Sequence, residues 1–232
     1  MRRAPVAIAG AIAALLAAVL AAAPGAQADQ SAAIDPQRLM SASDIPRVLG
    51  RFPAVSTSSP VDPIITLCQD ANYALFSVPA PQRLTSVTTN SSRGRLYRSI
   101  TEDVYRFDSP ADSATAFAGL VTEAARCTGT STRADDSGAT TDVRLTTGRI
   151  PSGASSPAAP VWTQQRTVTA DARPDSPLAG QRDILHRVFT RSGDAIIVTT
   201  AFVNGAASMR PAQVSAVHRL AVGNAARYAP RR

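Results

Sequence analysis

His186 and His218 are the two histidines of this sequence, and since no lysine occurs the menu of bases and nucleophiles is short. A Schiff base, a Ser-Lys pair or a Walker-type phosphate loop would each need a lysine. HExxH, paired CxxC and GxSxG do not occur either. His186 falls mid-run between Ile184 and Val188, with Leu185 and Arg187 on the opposite face. Use of His186 as a base, the secreted envelope hydrolase reading, would need a serine and an aspartate that no spacing identifies. His218 lies beside Arg219 and Leu220 in a helical pattern and reads as structural. Glu102 and Asp103 are adjacent carboxylates, but neighbours on an extended strand point to opposite faces, so paired acid/base work on one substrate is not supported. No catalytic set is assigned, and no metal site or cofactor is expected.

The residues with the best case for a ligand lie further on. Trp162, Gln164 and Arg166 alternate along Val161–Thr169, and a mixed aromatic and polar strand face can line a cleft. A tryptophan packed into the core is the plainer alternative. Trp162, Arg166 and His186 are therefore the candidate ligand-binding residues. The two cysteines, Cys68 and Cys127, have no CxxC partner or neighbouring histidine. In an exported chain an even cysteine count reads as one disulfide, and closing so long a loop would stabilise by about 4 kcal/mol, less any strain.

The compartment is read from the start of the chain. Arg2 and Arg3 precede an apolar run from Val6 to Ala23, followed by Pro24-Gly25 and Ala26-Gln27-Ala28. That is the layout of a signal peptide, residues 1–28, with cleavage expected after Ala28. Retention as a membrane anchor is the alternative, because the run approaches spanning length. Residues 29–38 are expected to be a disordered tail and residues 39–232 one domain, long enough to bury roughly 70% of its unfolded surface. The formal charge of +7 is spread along the chain rather than gathered in an aromatic-interleaved stripe. Nucleic acid is not an expected partner; weak attraction to anionic envelope polymers is.

The elements that must position these residues follow in order. Leu39–Gly50 reads as partly helical, with Ser43 able to cap, and Phe52–Pro63 as loop. Ile64–Leu67 is too short to divide between helix and strand. Tyr73–Val78 and Arg83–Thr89 are strand candidates, Ser91–Gly94 is a turn, and Arg95–Asp108 is extended. Ser109 then caps a helix with Pro110 at its first position, Asp112 three residues after the cap, and Phe117, Leu120, Val121 and Ala124 on one face. Thr128–Thr140 reads as loop, Asp142–Thr147 as strand, and Gly148–Pro160 and Asp171–Gly180 as further loops. Asp183–Thr190 and Ala195–Val203 form a hairpin about Arg191–Asp194, and the second run, apolar on both faces, is a central strand. Pro211–Tyr228 closes the chain as a helix. The fold class is α+β: a twisted antiparallel sheet with two or more helices on one face.

The segment VYRFDSPADSATAFAGLVTEAARC (Val104–Cys127), with Cys68, the Leu49-Gly50 helix end and the closing RSGDAIIVTTAF strand and helix, resembles the extracellular sensor domain of the mycobacterial PknH-type Ser/Thr kinases. The resemblance spans roughly Leu39–Tyr228. It implies an antiparallel sheet with packed helices and a large cleft for an undefined ligand, and Cys68 and Cys127 match the spacing of that family's first disulfide. The family's second cysteine pair is absent, and no kinase accompanies the domain. The expectation is thus an exported, non-catalytic, sensor-like module, monomeric, taking a small hydrophobic or wall-derived ligand or an envelope protein. A structural or protein-interaction module is the other alternative to the hydrolase.

Overall fold

The computed structural model describes residues 34–52, 56–58, 64–67, 72–74, 83–93, 96–134, 140–151, 160–170, 181–206 and 208–229. Its strands are β1 (Ser56–Ser58), β2 (Ile64–Thr66), β3 (Asn72–Ala74), β4 (Arg83–Arg93), β5 (Leu96–Arg106), β6 (Gly129–Ala134), β7 (Thr140–Arg149), β8 (Val161–Ala170), β9 (Gln181–Ser192) and β10 (Ala195–Asn204). Its α-helices are α1 (Pro110–Arg126) and α2 (Pro211–Ala226). Among the described residues one antiparallel sheet runs β1-β4-β5-β10-β9-β8-β7-β6, six long strands with a short one at each edge, and β2 pairs with β3 separately. The class is α+β.

β10 is the middle of this sheet because both of its faces are apolar. Alternation sends Ile197, Ala201 and Val203 to one side, where Ile100, Val104, Ile184 and Val188 join Ala216, Val217, Leu220 and Ala221 of α2. Ile196 and Val198 go to the other side, where Tyr105, Phe107 and Phe189 meet Ala116, Phe117 and Leu120 of α1. Each fully buried side chain of this size is worth roughly 1.5–3 kcal/mol. The helices therefore cover opposite faces, which corrects the expectation that both lie on one. A strand apolar on only one side needs a single cover; β10 needs two.

The turn of the β9–β10 hairpin is held from outside. Gly193 takes φ 56, a left-handed conformation suited to glycine, and its carbonyl accepts from the Ser113 hydroxyl at 2.8 Å. Asp194 pairs with Arg106, and its carbonyl accepts from the Phe107 amide at 2.9 Å. Ser109 caps α1 as predicted, accepting from the Asp112 amide at 3.2 Å.

Several boundaries differ from expectation. Ile34 is buried in the α2-side core and Pro36–Arg38 form a 3-10 turn, within residues expected to be tail. In Leu39–Gly50 the helix is only a 3-10 turn, Ala42–Asp44, with Ser41 rather than Ser43 at its cap position. Pro46 forces Ile45 into an extended conformation and ends it there. β4 runs on to Arg93, through residues assigned to a turn, and β6 occupies part of the expected Thr128–Thr140 loop. Thr-rich β6 has the propensity for an edge strand but no apolar alternation to announce it. Residues 1–28, Cys68 and most of Tyr73–Val78 lie outside the described residues, and no helix within them is long and apolar enough to cross a membrane.

Candidate functional site

The β8–β9 register decides which predicted residues meet. Trp162 lies opposite Val188, Gln164 opposite His186 and Arg166 opposite Ile184, so all three β8 side chains share the α2-side face with His186. His186 is completely buried. His218, one residue past Val217 on α2, reaches down onto it, with the two Nε2 atoms 3.0 Å apart. The rings stack, with centroids 5.1 Å apart, and Trp162 lies against both at 5.6 and 6.1 Å. Gly148 of β7 pairs with Trp162 and makes room for it: a Cβ there would fall 2.6 Å from the indole Cζ2.

Hydrogen-bond roles in this cluster follow from one fixed donor. Arg166 Nε can only donate, and does so to Gln164 Oε1 at 3.2 Å. The Gln164 amide nitrogen is then the donor to His186 Nδ1, 3.3 Å away. Neutral His186 must carry its proton on Nε2 and give it to Nε2 of His218, leaving the His218 proton on Nδ1. Burial presses His186 down to about 3, with His218 adding to the effect, and lowers His218 as well. Both nitrogens of His186 are occupied by Gln164 and His218, so neither is presented to a serine.

Arg166 also opens outward. With Arg144, directly opposite it across β7–β8, and Arg182, opposite Val168 across β8–β9, it lines a concavity of about 240 Å³. Asp142 and Asp183 share the lining, Asp142 accepting from the Thr132 hydroxyl at 2.6 Å and Asp183 from the Asn204 amide at 2.8 Å. A second concavity, about 250 Å³, lies on the α1 side between Leu67, Cys127, Val143, Leu145 and Gln165. Among the described residues no three His, Cys, Asp or Glu side chains gather as a metal site.

No protein-family model matches the chain, and no curated protein does. Among solved structures it is similar to the extracellular domain of PknH from Mycobacterium tuberculosis. That likeness has a TM-score of 0.51 at 11% identity, over 81% of this chain and 93% of that one. It is a likeness of fold.

The carboxylates sit apart, as strand alternation requires. Asp103 faces the α1 side, while Glu102 is fully buried on the α2 side, where its Oε2 accepts the Met40 amide at 2.6 Å. Burial pushes Glu102 up to about 7, against the lowering effects of the Met40 N–H and the Arg227 charge. Cys127 lines the second concavity, there is no free cysteine among the described residues, and Cys68 is outside them. Sequence reasoning missed His218, Arg144 and Arg182 as members of the site. For His218 a signal existed: it falls four residues after Val214 and three before Ala221, at the margin of the apolar face of α2.

Proposed function

We propose that the chain is an exported, sensor-like module of the bacterial envelope that binds a small wall-derived or hydrophobic ligand and has no catalytic role. The observation that carries this reading is the concavity of about 240 Å³ lined by Arg166, whose Nε also holds Gln164 against the buried His186. Its fold likeness to a kinase's extracellular domain supports an extracytoplasmic location and a sensing role. The hydrolase alternative loses support from the hydrogen bonds that occupy both nitrogens of His186.

Native mass spectrometry of the protein purified from its host tests the reading. The expected spectrum shows a co-purifying small molecule. Its protein mass would correspond to cleavage after Ala28, with two hydrogens lost to a Cys68–Cys127 disulfide. Repeatedly empty spectra would favour a protein partner, and a full-length reduced mass would remove both the cleavage and the disulfide.

A further inference from the structure

Arg144 and Arg166 stand directly opposite one another on neighbouring strands. Like charges in that position destabilise a sheet pair. Arg182, next to Ile184 along β9 and diagonal to Arg166, adds a third guanidinium to the same concavity. Among the described residues none of the three has a carboxylate at ion-pair distance. The two carboxylates in the lining are engaged elsewhere, Asp142 by Thr132 and Asp183 by Asn204. Among the described residues the hollow thus gathers three guanidinium groups against two carboxylates, which leaves its lining net positive.

We propose that this concavity is a binding site for the phosphate group of a small ligand. The inference rests on the binding-module reading and gives that ligand a chemistry. A carboxylate has two oxygens and is satisfied by one guanidinium fork, whereas a phosphate has enough acceptor oxygens to engage all three. Val168, which is 39% exposed, and Ala206 supply an apolar wall for the carbon skeleton attached to the phosphate. At about 240 Å³ the hollow is of headgroup size, below the range usual for drug-sized ligands. The phosphate could belong to a soluble ester or to a phospholipid headgroup, since the group recognised is the same.

Arg166 gives the site a built-in reporter. Its Nε holds Gln164 Oε1, Gln164 sets the proton position on His186, and His186 donates to His218 on α2. A phosphate that draws the Arg166 guanidinium outward must perturb the imidazole resonances of the two histidines, which are the only ones in the chain.

The test is a titration of ¹⁵N-histidine-labelled protein with inorganic phosphate, glycerol 3-phosphate and acetate at constant ionic strength, beside co-sedimentation with phosphatidylglycerol and phosphatidylcholine vesicles. Expected are saturable imidazole shifts with the phosphates and none with acetate, and at least tenfold weaker binding in Arg144→Gln and Arg182→Gln. Neither of these variants alters the Arg166–Gln164 bond, so a folded protein with intact histidine signals keeps the comparison valid. Glycerol 3-phosphate binding without phosphatidylglycerol binding identifies a soluble ester; selective sedimentation with phosphatidylglycerol that is lost in both variants identifies a lipid headgroup, and each supports the site. Equal response to acetate, or phosphate binding unchanged in both variants, overturns it. If that happens while host-purified protein still carries a small molecule, the phosphate site fails and the binding-module reading stands. Arginine-dependent phosphate binding by a protein always isolated empty would give the opposite division.

Discussion

Glu102 and His186 are both fully buried on the α2 side of the sheet, and they couple stability to pH in opposite senses. The folded-state pKa of His186 is depressed to about 3, so its contribution is complete above its ordinary 6.5 and is lost as pH falls through 3. That of Glu102 is raised from 4.5 to about 7, so its contribution is complete below 4.5 and is lost as pH rises through 7. Its Oε1 lacks a hydrogen-bond partner among the described residues, so the Met40 N–H and the Arg227 charge offset only part of the cost of charging it. Glu102→Gln should therefore gain on the natural protein by on the order of 1–3 kcal/mol between pH 4.5 and 8, with His186 common to both and cancelling. Urea denaturation at several pH values reads the difference directly, and parallel curves would rule it out. That Glu102 and Asp103 would part company was legible from strand alternation. That Glu102 would be sealed was not, because its cover comes from Met40, 62 residues earlier.

At the scale of elements, the β7–β8 pair is fitted to one ring. The Gly148 position opposite Trp162 admits no side chain, and adding a methyl group would push the indole away from its contacts with both histidines. Gly148→Ala should cost about 1–3 kcal/mol through overpacking. It should also shift the emission of the single tryptophan. Unchanged thermal unfolding and fluorescence together would show that the ring is not confined there. By composition Gly148 belongs with the Ser/Ala/Pro-rich loop that follows it. Its partner lies beyond the Pro/Ser-rich stretch before Val161, so no local pattern could pair them. The two-sided apolarity of Ile196–Phe202, by contrast, was plain in the sequence, and so was the Ser109–Pro110 helix start. That same two-sidedness demands a cover on each face of β10, so the placement of α1 and α2 on opposite sides was legible there too.

At the scale of the whole molecule, cationic side chains outnumber anionic ones by seven, and three of the surplus type gather at one hollow. Composition showed the excess but not the gathering, because Arg144, Arg166 and Arg182 come from three strands whose register is set by long-range pairing. Strand order also has a kinetic side. β10 comes after every other strand among the described residues, yet it joins β4–β5 on one side to β9–β8–β7 on the other. Before residues 195–204 are available, the two halves of the sheet have no common border and both apolar layers lack their middle. Assembly must close contacts between β5 and β10, about a hundred positions apart, in one late step, which makes folding slow and cooperative. A chain ending at Asp194 should show no cooperative unfolding and be digested throughout in limited proteolysis; a protease-resistant β6–β9 fragment would contradict this. For a protein proposed to leave the cytoplasm, such a delay has a use. The polypeptide would stay threadable through a secretion channel until residues 195–204 have been made.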